Sequence, residues 1–121
     1  GHVCEVCGGV GRRHAVEAHE VWSYDADPDA DTCVQVLERM VALCPACHEV
    51  KHFGLAHGLG RADKALRHLA KVNRWSIAVA QAYVVRCFVI WEARSSLEWA
   101  LDITHLQAYG DDVSWRAGRE P

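Results

Sequence analysis

Apolar residues along this chain first gather in short β-branched and aromatic runs, and later recur at helical spacing. Residues 15–24 are rich in Val, Trp and Tyr, and residues 33–43 carry Val34, Val36, Leu37, Met40, Val41 and Leu43; between them four aspartates and Pro28 interrupt the pattern over 25–31. Such runs on either side of a polar, proline-bearing break predict strand, acidic loop, strand. The second run also admits a helical reading, and extended structure into Cys44 is preferred. Pro45 suits the first turn of a helix, where its missing N–H costs nothing, and Gly54 or Gly58 suits its end, so 47–57 is expected to be helical. Past Gly58 and Gly60, residues Ala65, Leu66, Leu69 and Val72 recur at helical spacing over 61–72, with basic residues on the remaining face. Ser76 can cap a third, longer helix reaching about residue 95. That helix is apolar nearly all round and is therefore expected at the centre of the core. Residues 99–106 add a short strand or turn, and 110–121 read as a frayed end. The expected class is α+β.

Composition sets the outer limits. At 121 residues the chain suits one domain with a real core, and 50% hydrophobic with 24% charged residues is ordinary globular usage. The formal net charge of −3 means that any contact with nucleic acid must come from a local basic patch rather than from the field of the whole chain. The longest apolar stretch, 75–91, carries Gln81 and Arg86 and reads as a buried helix, not a membrane span. No secretory signal is visible, and a soluble, cytoplasmic protein without membrane contact is expected.

Cysteine spacing changes the picture. Of six cysteines, four form two C-x2-C pairs, Cys4 with Cys7 and Cys44 with Cys47, which is metal-ligand spacing rather than a disulfide framework. Four thiolates are the number that a closed tetrahedral zinc site needs, and Gly8 and Gly9 let the backbone turn tightly at the first pair. The 36 residues between the pairs exceed a compact zinc ribbon, so a functional insertion is expected there. Cys33 and Cys87 sit among apolar residues and are expected to be buried structural thiols.

Histidines follow the same frame. If Pro45 starts a helix, His48 and His52 lie four apart and leave it from one face, as two ligands of a single metal must, and His19 can complete the set. Here the sequence resembles the HNH endonuclease family (ββα-metal, or His-Me finger, nucleases), in the subgroup whose catalytic hairpin is bracketed by a four-cysteine zinc knuckle. The resemblance covers residues 4–54 and rests on the C-x2-C opening, Glu17-Ala18-His19, and Leu43-Cys44-Pro45-Ala46-Cys47-His48 running on to Lys51-His52. It implies a zinc-stabilised ββα-metal unit over 1–58 with a helical extension over 59–121 packed on it as one compact domain. It further implies a structural zinc ion and a second divalent ion (Mg²⁺, Mn²⁺, Zn²⁺ or similar) held by His19, His48 and His52, with His19 and Glu20 as the catalytic candidates.

Two departures from the family pattern matter. Members often carry two adjacent histidines on the first strand, whereas His19 is followed by Glu20. Either His19 is a ligand and Glu20 the base, or His19 is the base and Glu17 or Glu20 joins the metal. The family's middle asparagine also lacks a counterpart, its place falling on Arg39, which could grip phosphate or signal lost catalysis.

A basic stripe of Arg61, Lys64, Arg67, His68, Lys71 and Arg74 could follow a phosphate backbone, with a solvated helix face as the alternative. Residues 12–14 form a short basic turn. Trp22 and Tyr24 could stack on a base or pack in the core. His57, His68 and His105 have no spacing partner and read as ordinary histidines. The expected function is metal-dependent hydrolysis of nucleic-acid phosphodiester bonds, with DNA the favoured partner. The alternatives are a catalytically inactive zinc module of the same descent that binds DNA or protein, and a metalloenzyme that reuses the histidine site for other chemistry.

Overall fold

A computed structural model describes residues 2–10, 16–27, 29 and 31–109. The basic turn at 12–14 and the frayed end expected at 110–121 lie outside the described residues. The chain forms two compact units: Gly1–His19 with Met40–Leu97, and Glu20–Arg39 with Glu98–Pro121.

Strands β1 (Glu17–Asp27) and β2 (Thr32–Leu43) realise the two apolar runs, and the extended reading of the second run prevails over the helical one. β1 continues through Asp25 and Asp27, so half of the expected acidic loop is strand. The short segment between the strands permits only a hairpin, because a parallel return needs a dozen or more residues. At the end of β2, Val41 and the fully buried Leu43 alternate with more accessible neighbours, as one buried face requires.

In the first unit the helix expected over 47–57 is two helices. α1 (Pro45–Lys51) begins on the proline, and α2 (Phe53–Gly58) follows a break at His52, whose φ of −102° and ψ of 47° are not helical. α3 (Ala62–Asn73) matches the 61–72 periodicity. It ends on Arg74 in the left-handed region (φ 56°, ψ 38°), and the chain turns there so that α4 (Ile77–Ser95) leaves at 109° to α3. The Ser76 hydroxyl accepts the Val79 N–H at 3.2 Å, the cap expected from sequence. Leu69 and Ala70 of α3 meet the fully buried Ala80 of α4, with Val50, Leu66, Trp75 and Val84 packed around them.

α4 is not the centre of the core. Only Ala80 is buried along it, while Val85, Val89 and Trp91 are 59–64% exposed. One line of side chains meets α3, and an apolar composition cannot by itself supply neighbours for the rest. The two spare thiols differ from expectation for the same reason. Cys33 is half-buried, and Cys87 is exposed on α4, lining a cleft of about 660 Å³ with Trp75, Tyr83 and Phe88.

In the second unit the segment expected as strand or turn is both: β3 (Ala100–Asp102), then a short 3-10 helix (Thr104–Tyr109). β3 pairs in parallel with β2, Val34 standing opposite Ala100 and Val36 opposite Asp102, which makes the sheet order β1-β2-β3. Tyr24 packs edge-on against Trp99 at 5.3 Å between ring centres and receives a hydrogen bond from Gln35, while its side chain stays exposed at the surface of this unit. Among the described residues no single helix is long and apolar enough to cross a membrane.

Candidate metal centres

The first centre is built by a turn and a helix start. Gly8 takes φ +72°, a conformation strained for any residue with a Cβ, and its N–H returns to the Cys4 carbonyl at 2.9 Å. A Cβ on Gly9 would lie 3.3 Å from the Cys7 sulfur, and the Gly9 N–H instead donates to that sulfur at 3.4 Å. The turn is tied to β2 twice: Glu5 N–H donates to the Ala42 carbonyl at 2.9 Å, and Ala42 N–H donates to the Glu5 carboxylate at 3.1 Å. Across from it, Cys44 is the N-cap of α1, and Pro45 occupies the first helical position.

These two supports bring Cys4, Cys7, Cys44 and Cys47 together with all four sulfurs within 4.8 Å of one another. Cys7 and Cys44 are 3.6 Å apart, where zinc–sulfur bonds of 2.3 Å in a tetrahedron set about 3.8 Å. Cys4, Cys44 and Cys47 are buried and Cys7 is exposed. The electrostatics of the protein alone are mixed. Burial raises the Cys4 thiol, yet hydrogen bonds from the Cys7 and Cys44 backbones outweigh it and bring Cys4 down to about 6. Burial and the three neighbouring sulfurs push Cys47 far up. For Cys7 the Gly9 N–H pulls downward, but burial and Cys44 prevail and raise it. Four thiolates cannot share so small a volume unneutralised, and a divalent cation at their centre removes that conflict. Number, geometry and chemistry all fit a structural zinc ion.

His68 adds a contact that spacing could not reveal. Its Nε2 lies 3.2 Å from the Cys47 sulfur, reaching from α3 to α1. Burial, and secondarily the Lys71 charge, lower its pKa and so favour the neutral ring, which carries one N–H.

The second centre is the histidine cluster. Strand alternation places Glu17 and His19 on one face of β1 and Glu20 on the other. Despite the break at His52, its N–H still donates to the His48 carbonyl at 3.1 Å, so the turn joining the two rings is retained. Their Nε2 atoms stand 3.1 Å apart. His19 meets both edge-on, with ring centres 5.2 Å from each. One nitrogen from each of the three rings falls within 4.8 Å of the other two. Bonds of 2.0 to 2.1 Å set tetrahedral nitrogens about 3.3 Å apart, which the His48 and His52 pair matches. His48 Nδ1 donates to the Glu17 carboxylate at 2.5 Å, leaving the Nε2 lone pair toward His52.

Glu17, His48 and His52 line a cleft of about 810 Å³ whose other walls include Arg61, Lys64 and Glu49. Arg61 pairs with Glu49 at 2.9 Å, so part of its charge is spent within the protein. Arg67 and Lys71 are exposed further along α3, while Glu20 and Arg39 are exposed on the strands of the second unit. No protein-family profile, curated protein or solved structure matches this chain.

Proposed function

We propose that this protein is a metal-dependent endonuclease of the HNH type, hydrolysing phosphodiester bonds in nucleic acid, with DNA the favoured substrate. The observation that carries the reading is the meeting of His19, His48 and His52 beside a separate four-cysteine cluster, both held by the same strand end and helix start. One cluster offers four sulfur ligands, the number that closes a structural zinc site; the other offers three nitrogens, and two of its residues, His48 and His52, line an open cleft, which favours a metal site with a free position.

In this proposal His19, His48 and His52 hold one divalent ion, which when bound supplies Lewis-acid stabilisation of charge building on phosphate and leaving oxygens. Glu17 fixes the His48 ring so that Nε2 and not Nδ1 points inward. Lys64 and Arg61 border the same cleft and meet a phosphate as cations, Arg61 on condition that it loosens from Glu49. Arg67 and Lys71 extend that positive edge along α3 and add affinity that falls with salt. Arg39, where the family places asparagine, is given a phosphate contact outside this first cleft.

The test is a metal count followed by plasmid nicking with Mg²⁺, Mn²⁺ and Zn²⁺. The expected result is two ions per chain and nicking abolished by EDTA. His48→Ala should reduce nicking by more than about 100-fold, beyond what loss of an outer-sphere partner causes. Glu20→Gln, on the opposite strand face from the triad, should stay within about threefold of the parent, an effect of less than 1 kcal/mol on the barrier. A single tightly bound zinc with no nicking under any ion sinks the proposal and leaves a zinc module that binds without cutting.

A further inference from the structure

The cleft in front of the histidine cluster carries fixed charges of both signs. Its described lining includes the carboxylates of Glu17 and Glu49 and the cations of Arg61 and Lys64. Glu17 is engaged by His48, and Glu49 by Arg61, whose Nε lies 2.9 Å from Glu49 Oε2. Lys64 makes no ion pair among the described residues. The two negative and two positive groups balance. Cys44 reaches the same lining, and the thiolates of a zinc-filled first cluster add only negative charge. A cleft with this inventory has no net pull on a phosphate diester until a cation is added at the histidines.

Of these groups Glu49 is the one that decides whether Arg61 is available. Its side chain is 18% exposed against 52% for Arg61, and it stands on α1 directly after His48. A carboxylate so enclosed has little room to swing aside, while the guanidinium, at the start of α3, can turn on its long stem. A phosphate brought to Arg61 therefore competes with a fixed anion one hydrogen bond away. We propose that Glu49 is a counter-charge that makes polyanion binding in this cleft conditional on the divalent ion. It neutralises Arg61 while the histidines hold no ion, and Arg61 passes to phosphate once an ion on His19, His48 and His52 has made the cleft positive. Glu49 touches no substrate in this scheme; it acts through Arg61 and sets when the cleft accepts a phosphate chain. The inference rests on the reading of the cleft as a nucleic-acid site. By linkage, nucleic acid tightens the ion by the same factor as the ion tightens nucleic acid.

The test measures binding, not cutting, on the full zinc-loaded chain. A fluorescein-labelled phosphorothioate duplex, which keeps the backbone charge and resists hydrolysis, is titrated by anisotropy with and without added Mn²⁺ over a range of salt. The parent is expected to bind about tenfold or more tighter with Mn²⁺. Glu49→Gln keeps the shape of the side chain and removes its charge. It should tighten binding without Mn²⁺ by about 3- to 10-fold, and by less with Mn²⁺, so that the ion dependence shrinks. The freed guanidinium adds one phosphate contact, so the ion-free salt dependence of Glu49→Gln should steepen by about one unit of log–log slope. Arg61→Ala in the Glu49→Gln background should erase both gains, which a merely structural effect of Glu49 would not do. A Glu49→Gln chain that binds no tighter than the parent without Mn²⁺, or whose gain survives Arg61→Ala, overturns the inference, as does a parent whose affinity ignores Mn²⁺. The nuclease reading fails separately, on a parent that nicks no plasmid with any ion, and the duplex titrations keep their meaning in that case. A parent that binds no duplex in either condition overturns both.

Discussion

Glu17 decides which nitrogen of His48 is available to a metal. With the proton of His48 committed to the carboxylate through Nδ1, the Nε2 lone pair is left to face His52 and His19. Replacing Glu17 with Ala is expected to weaken binding of Mn²⁺ or Co²⁺ at the histidine cluster by about 10 to 100-fold, measured by calorimetry on zinc-loaded protein. The four-cysteine zinc should be unaffected. His68 is placed for comparable service at the other centre, its Nε2 standing 3.2 Å from the Cys47 sulfur, where an N–H on that nitrogen would meet a thiolate. His68→Phe keeps a ring on α3 but removes that N–H, and should cost about tenfold in zinc affinity, read by competition with a chromogenic chelator. These two residues differ in how legible they are. His48, His52 and each C-x2-C pair can be picked out from spacing, because local geometry forces i and i+4 or C-x2-C side chains together, whereas His19 joins them only through the family resemblance. His68 meets a residue 21 positions away, and only the packing of α3 on α1 brings them into contact.

Among the elements, the left-handed residue between α3 and α4 is the most accessible point for testing. Arg74 holds φ 56° with a full side chain, and the Trp75 N–H returns to the Ala70 carbonyl at 2.9 Å, a C-terminal closure that glycine makes without steric cost. Arg74→Gly should therefore stabilise the fold by about 0.5 to 1 kcal/mol, seen as a rise in Tm. The order of strands and helices, the Ser76 cap and the proline start of α1 could all be read from the chain, since each depends on residues within a turn or a strand. What escaped was tertiary. A pattern of apolar residues over 47–57 gives no warning that the helix breaks at His52. The richness of 77–95 in Val, Ile, Phe and Trp says that the helix avoids water, not that this unit has the mass to surround it.

At the scale of the whole molecule, the cysteine cluster joins the segment before β1 to the segment after β2 and so closes the 36 residues between them. Structural zinc in small domains supplies on the order of 10 kcal/mol, comparable with the entire net stability of a domain. A strong chelator is accordingly expected to collapse the cooperative thermal transition and most of the native tertiary signal, and zinc readdition to restore both. Cys44→Ser is an informative companion, because serine is a good N-cap for α1 yet no ligand for zinc. It should behave like the chelated parent, which separates the metal's contribution from that of the helix start. If the chain with Cys44→Ser kept its full melting transition, the stabilising role given to zinc would be wrong.

Cys47 and His48 are neighbours in the chain, one in each cluster. On a helix, successive side chains diverge by about 100°, so α1 works as a partition with sulfur chemistry on one side and nitrogen chemistry on the other. Under the proposed function, an ion held by the imidazoles would thereby be kept from the thiolates, which bind soft metals far more tightly. Inserting a single alanine between these two residues should swing the imidazole round by that same angle and let the compartments mix. The resulting protein should take up Cd²⁺ in a stoichiometry different from the parent's.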